Sequence, residues 1–266
     1  MAEDREAVRA HLRLVREVVY PALLEDTRFP DARRLIARAD KIISEWEAGS
    51  RNVAGVVEVV NELCVARELL KRPLTAHYTM TYEPKVTLSG ASIDFALTYA
   101  DAKHYFDVKT IRPREPADAR AAWAKYEELR ELFPDNASIE LAERLMGGQF
   151  WHYFSSARAK FLDNALSLER KAAALPRNDK TTVRMIYCGE GMRWTRDQLE
   201  DFADFYRNGM FRADDALAPL QAHYLTEKGI VIQRTIDGFC CLLRRLTEVE
   251  PKEFRLDLRG PDLGRS

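Results

Sequence analysis

The chain has 266 residues, of which 46% are hydrophobic, and its 41 basic residues nearly balance its 42 acidic ones. These values predict a globular protein of one domain, or one and a half, with a sizeable core, and they exclude a disordered tail-like chain. The net charge of −1 counts against a sequence-independent nucleic-acid coat, although a local basic patch stays possible.

The cysteines and the N-terminus indicate the compartment. All four cysteines lie in apolar runs without metal-ligand spacing: Cys64, Cys188, Cys240 and Cys241. They are interpreted as core residues of a protein in a reducing compartment, and no zinc site is expected. The first residues form a charged helix rather than a signal peptide, and no apolar run approaches about 18 residues. We therefore expect a cytoplasmic protein with no membrane contact.

Three helices are predicted in the first part of the chain. Residues 4–20 and 31–47 have helical periodicity and are separated by Pro21 and Pro30, which suggests a helical hairpin. A third helix is predicted from about 52 to 71.

A strand at about 77–83 is followed by the most informative segment, a hairpin over 92–111. Apolar and polar residues alternate along both halves of this segment, as in strands with one face toward a core. A turn centred between Ala100 and Asp101 pairs residues whose numbers sum to 201. This register places Asp94 directly opposite Asp107.

Two carboxylates opposed in this way need a cation. Directly paired Cβ atoms lie about 4.5–5.5 Å apart, and at that distance one acid stays protonated unless a positive charge sits between them. Because neither Cys nor His is offered as a ligand, a hard ion such as Mg²⁺ or Mn²⁺ fits best. Lys109 shares the face of Asp107 and would point at an anion that the metal binds. The alternative is a solvated strand face with a cross-strand pair of Lys and Asp.

The pattern of an acid, any residue and then Lys does not identify this site by itself. It begins at five positions: Glu83, Asp101, Asp107, Glu169 and Glu250. Only the copy at Asp107 lies inside an apolar, β-branched run with a second acid at the matching position of the preceding strand.

The remaining elements are predicted in chain order as follows. A charged helical stretch at 117–146 precedes a long helix at 149–174 and a strand at 182–188. A further helix opens at Thr195, and Asp237-Gly238 predicts a two-residue hairpin turn.

The order of helix, three strands, helix and strand, with acids on the second and third strands, resembles the PD-(D/E)xK nuclease superfamily over about 53–188. Asp94 in Ser-Ile-Asp matches the first motif, with Ile93 in place of the proline, and Asp107-Val108-Lys109 matches the second. The resemblance implies a restriction-endonuclease-like α/β (α+β) fold. It also implies that the two acids and the main-chain carbonyl of Val108 bind Mg²⁺, while Lys109 positions the water that attacks a phosphodiester.

The same resemblance implies a glutamate on the helix before the sheet. Among Glu58, Glu62 and Glu68, we assign Glu62 to the metal shell because its neighbours one turn away are apolar, with Glu58 in reserve. Alternatively, Glu62 pairs with a base such as Lys109 or fills a polar gap.

Substrate contacts are expected from two further groups. Gln149 and Tyr153 resemble the Gln-x-x-x-Tyr arrangement seen near the active site in branches of the superfamily; the alternative is an ordinary helix start. Arg112 and Arg114 follow the catalytic strand and could hold phosphates, or they could lie in a solvated loop.

These observations predict a three-part chain. Residues 1–50 form an N-terminal helical hairpin, 51–190 a nuclease-like core with a helical insertion at 112–148, and 191–266 a C-terminal accessory α/β extension. The function predicted is that of a Mg²⁺- or Mn²⁺-dependent nuclease with a restriction-endonuclease-like core, which hydrolyses phosphodiester bonds of DNA, or of RNA, and can act as a homodimer. Whether such an enzyme acts as an endonuclease or from the ends of the strand stays open. The alternatives are an inactive nuclease-fold binding or scaffold module, or a hydrolase of a non-nucleic substrate.

Overall fold

The computed structural model describes residues 2–85, 92–111, 128, 131–132, 149–190, 236–244, 249–251 and 253–255. The chain divides into two compact units, and the first of them contains all the elements that form the site below. It comprises Met1–Thr110, Ser167–Trp194 and Arg234–Ser266, whereas the second comprises Ile111–Leu166 and Thr195–Gln233. The predicted insertion at 112–148 and the predicted helix at Thr195 lie almost wholly outside the described residues.

The N-terminal helices differ from the prediction at Pro21. Helix α1 (Ala2–Leu14) passes through a π-helical turn (Val15–Val19) directly into α2 (Tyr20–Glu25), so the helix does not end before the proline. A proline within a helix lacks a donor and clashes with the preceding turn. The wider turn, whose closing main-chain bond spans five residues, accommodates this proline without ending the helix.

Helix α4 (Val53–Lys71) is the most deeply buried helix among the described residues. The side chain of Asn52 caps it by accepting the N–H of Gly55 at 2.9 Å. Every residue from Val56 to Leu70 except Glu58 is buried, so the helix packs on all sides rather than along one stripe. Helix α3 (Ala32–Glu47) precedes it and presents one apolar face to the same core.

The strands form a mixed sheet that the helices flank. In chain order the described strands are β1 (Thr79–Tyr82), β2 (Phe95–Tyr99), β3 (Ala102–Ile111), β4 (Thr181–Glu190), β5 (Gly238–Arg244) and β6 (Glu253–Arg255). They lie side by side in this same order. Strands β1 to β3 are antiparallel, β4 and β5 are parallel, and β5 and β6 are antiparallel. Helix α5 (Gln149–Ala173) connects to β4.

The outer edge of β1 is covered by the loop between α2 and α3. The N–H of Met80 donates to the carbonyl of Arg28 at 2.8 Å, and the N–H of Tyr82 donates to Oδ2 of Asp31 at 3.0 Å. Arg34 donates to the carbonyl of Tyr82. Since these groups would otherwise be exposed at a sheet edge, the N-terminal helices are tied to the sheet beside the site.

The predicted hairpin at Asp237-Gly238 is wrong. Gly238 is the first residue of β5 and pairs with Arg184 of β4. Over Cys241–Leu243 both edges of β5 are occupied, by β4 and by β6, so a strand that returned from the turn would find no free edge there. Instead, Asp237 fastens the start of β5: its N–H donates to the carbonyl of Val183, and its carboxylate accepts the N–H of Val183 at 2.6 Å.

The structure confirms the prediction that the four cysteines are core residues. All four are buried and none forms a disulfide. Across the described helices, none has the length and apolar character needed to cross a membrane.

His104 gives the fold a pH dependence. Burial, with a smaller effect from the charge of Arg184, lowers the pKa of this histidine to about 4, and the neutral ring contacts the hydroxyls of Tyr78 and Thr182 at 3.1 and 2.7 Å. The unfolded chain takes up this proton near pH 6.5, so stability falls as pH drops through the window between 6.5 and 4.

We therefore expect the wild-type protein to lose about 1.5 kcal/mol of unfolding free energy between pH 6.5 and pH 5 that a His104→Gln variant does not lose. Urea unfolding at the two pH values measures the difference, and His77→Gln, at an exposed position, is the control. An equal loss in wild type and His104→Gln would contradict the assignment.

Candidate active site

The hairpin register is the one predicted. The pairs run from Phe95 opposite Phe106 to Tyr99 opposite Ala102, and each pair sums to 201. Strand β2 starts at Phe95, so Asp94 lies one residue before it rather than inside it. Here the carboxylate Oδ2 of Asp94 accepts the N–H of Val108 at 2.6 Å, so a side chain takes the place of a main-chain ladder bond.

Asp107 is held by two lysines. Its carboxylate has no exposed surface; Nζ of Lys109 lies 2.7 Å from Oδ2, and Nζ of Lys171 lies 3.1 Å from Oδ1. Lys171 donates a hydrogen bond to Oδ1, and Lys109 forms a short ion pair with Oδ2. A carboxylate oxygen has two lone pairs, so Oδ2 keeps one acceptor position beside Lys109 for a further ligand.

The charges of the site act on one another. Burial and then the charge of Asp107 raise the pKa of Asp94 to about 6, and the charges of Lys109 and Lys171 oppose that rise. Burial alone lowers the pKa of Lys109, but the charges of the acids, Asp107 first, raise it above its ordinary value. Asp94, Asp107 and Lys109 therefore share one electrostatic environment, as the sequence predicts.

Glu62 lies on α4 and is 7% exposed. Its Oε2 accepts a hydrogen bond from Arg38 of α3 at 2.5 Å and another from the hydroxyl of Tyr82 at 3.2 Å. Burial and the charge of Asp94 raise the pKa of Glu62 to about 8, with Arg38 acting in the opposite direction. Glu62 is thus within electrostatic reach of Asp94, and its direct partners are Arg38 and Tyr82 rather than Lys109.

The other two glutamates of α4 are placed differently. Glu58, the reserve choice, is exposed. Glu68 is buried, with its carboxylate 3.5 Å from Nζ of Lys71.

Three residues of the site are not found by reasoning from the sequence: Arg38, Tyr82 and Lys171. Lys171 ends Glu169-Arg170-Lys171, one of the copies of the acid-x-Lys pattern set aside for lack of a strand context. This acid-x-Lys pattern is the sequence signal that could have identified Lys171. Arg38 and Tyr82 have no local signal, because their role depends on the packing of α3 and β1 against α4.

The predicted substrate contacts lie outside what the structure describes. Arg112 and Arg114 follow the last described residue of β3. Gln149 and Tyr153 lie in the first turns of α5, and their side chains are not among those described. Both pairs remain predictions.

The carboxylates of Asp94 and Asp107 are the candidate ligands for a metal ion. Over the described part of the chain, no group of three or more His, Cys, Asp or Glu side chains is arranged to hold a metal ion. Asp94 and Asp107 lie near enough for the charge of Asp107 to raise the pKa of Asp94, and Oδ2 of Asp107 keeps a second lone pair beside Lys109. The main chain of Val108 also lies against Asp94. An all-oxygen set of this kind fits Mg²⁺ or Mn²⁺, both of which keep water in part of their shell.

Comparison of the chain with protein-family models, with curated proteins and with solved structures finds no match.

Proposed function

We propose that this protein is a metal-dependent nuclease of the PD-(D/E)xK type, with a restriction-endonuclease-like core and a cytoplasmic location. One observation carries the proposal: the β2–β3 hairpin has the predicted register, and at its open end Lys109 contacts Asp107 while the charges of both act on Asp94. The flanking of a mixed sheet by α4 and α5 agrees with such a core.

Asp94, Asp107 and the carbonyl of Val108 would hold Mg²⁺ or Mn²⁺, with Glu62 close by. A bound ion would supply positive charge at the phosphoryl oxygens and a water of lowered pKa.

The remaining tasks, charge stabilisation and positioning, would fall to side chains of the protein. Lys109, whose side chain is 23% exposed, can turn from Asp107 toward an incoming phosphodiester and offset charge that develops in the transition state. Asp107 is fully buried and would keep its position while Lys109 moves. Arg38 and Tyr82 would hold the carboxylate of Glu62 at the edge of the site.

A cleavage screen tests the proposal. Purified protein is incubated with single-stranded, double-stranded and structured DNA and RNA in Mg²⁺, in Mn²⁺ and in EDTA. We expect cleavage of at least one DNA or RNA substrate that requires the metal. Absence of cleavage from every substrate with both ions would contradict the proposal.

One observation favours the alternative, an inactive nuclease-fold binding module. Two lysines already match the charges of the two aspartates, so this part of the site is neutral without a metal. Calorimetry with Mn²⁺ separates the two functions: the nuclease binds the ion in the micromolar to millimolar range, whereas a module whose lysines replace the metal gives no heat of binding.

A further inference from the structure

Lys171 lies in the last turns of α5 and contacts the same carboxylate as Lys109. The two ammonium groups contact different oxygens of Asp107, at 3.1 and 2.7 Å. Asp107 itself has no exposed surface, but both lysine side chains do, 24% for Lys171 and 23% for Lys109. Both ammonium groups can therefore also contact a ligand on the solvent side of Asp107.

Asp107 by itself needs only one lysine, and the charge of the second matches that of Asp94. One ammonium is enough to neutralise one carboxylate, and a cation at the end of a helix is stabilised by the helix dipole without any acid. Arg170 lies in the same last turn, yet its side chain is exposed to solvent. The position of Lys171 against Asp107 is therefore not a general property of this helix end.

The charge balance of hydrolysis gives Lys171 a role. With Asp94, Asp107, Lys109 and Lys171 in the site, a divalent ion leaves two positive charges uncompensated. Hydroxide and a phosphodiester each bring one negative charge, so the pentavalent phosphorane that they form carries two. The bond from the hydroxide oxygen to phosphorus forms, the bond from phosphorus to the leaving oxygen breaks, and the leaving oxygen takes a proton from water. Without Lys171 one of the two negative charges would stay uncompensated.

We propose that Lys171 is a second substrate-contacting lysine, which binds a non-bridging oxygen of the scissile phosphodiester beside Lys109. This inference rests on the proposed nuclease function and adds to it a residue from α5, outside the hairpin that carries the sequence motif. In the absence of substrate, Asp107 holds the ammonium of Lys171 at the site by the hydrogen bond to Oδ1.

The test compares Lys171→Met with Arg170→Met, its exposed neighbour. Three quantities are measured on each protein: kcat and KM for a substrate that the wild type cuts, the affinity for Mn²⁺ alone by calorimetry, and the thermal unfolding midpoint. We expect Lys171→Met to lower kcat by about 100-fold, as for loss of one charged donor to the transition state. Its Mn²⁺ affinity should be unchanged or higher, because a competing cation has been removed from Asp107. Arg170→Met should cut like the wild type.

Two results would overturn the proposal. Lys171→Met could cut as fast as Arg170→Met, or it could lose Mn²⁺ binding together with activity, as expected of a residue that only shapes the metal site. A wild type that binds Mn²⁺ but cuts no substrate is a different failure, because it removes the nuclease function itself and the role of Lys171 with it.

Discussion

Replacing Asp94 with Asn is expected to lower metal-dependent cleavage by about 1,000-fold or more while the folded protein stays as stable as the wild type or becomes more stable. The Asn side chain keeps an oxygen that can accept the N–H of Val108, so the main chain at the hairpin opening is preserved. The lost charge is one that the fold disfavours, because burial and then the charge of Asp107 raise the pKa of Asp94. The charge of Asp94 also adds to the effect of burial in raising the pKa of Glu62. A ligand for the metal is removed, and repulsion between like charges is removed with it.

Cleavage rates and urea unfolding of the same preparations measure both effects. Asp101→Asn is the matched control, since Asp101 is an exposed acid in the turn of the same hairpin and pairs with Lys180 at 2.6 Å. Lys109→Ala should also abolish cleavage without unfolding the protein. If Asp94→Asn and Lys109→Ala cut at the wild-type rate, Asp94 and Lys109 do not form a catalytic centre.

Replacing Arg38 with Met should lower the free energy of unfolding by about 2 kcal/mol. This change leaves Glu62, a buried acid, with the hydroxyl of Tyr82 as its remaining direct partner of the two described. Loss of one partner of a buried ion pair costs about 3–5 kcal/mol. The expected loss is smaller here, because the side chain of Arg38 is 42% exposed and because Glu62 can take up a proton.

Urea unfolding of a double-mutant cycle isolates the contact. In a Glu62→Gln background, Arg38→Met should cost no more than a few tenths of a kcal/mol, since no buried charge is left to compensate. Arg33→Met, at an exposed position of the same helix, is the control and should stay within about 0.5 kcal/mol of the wild type. An equal cost of Arg38→Met in both backgrounds would show that Arg38 stabilises the fold by a route other than Glu62.

The contacts of Glu62 with Arg38 and with Tyr82 indicate that the N-terminal helices belong to the site. Arg38 lies on α3, and the edge strand that carries Tyr82 is covered by the loop before α3. Because β1 and α3 fix both partners of Glu62, a protein that lacks these helices would lose the support of that carboxylate as well as part of the core.

The amino-acid sequence by itself determined the hairpin and the register of its two strands. The alternation of apolar and polar residues is local, and the two-residue turn at Ala100 and Asp101 sets which residues pair. It also determined the position of α4, whose run of apolar residues allows burial on every side. The same kind of short-range signal gave a wrong prediction, a hairpin turn at Asp237-Gly238. The strands β4 and β6 occupy both edges of β5 over Cys241–Leu243, and this pairing is not visible in the local sequence.

Only the tertiary structure decided which cations meet the acids. Arg38 and Glu62 are 24 residues apart, and Asp107 and Lys171 are 64 apart, on different elements in each case. No pattern of period two or 3.6 extends over such separations. A buried carboxylate needs a partner, but which partner it finds depends on the packing of helices against the sheet.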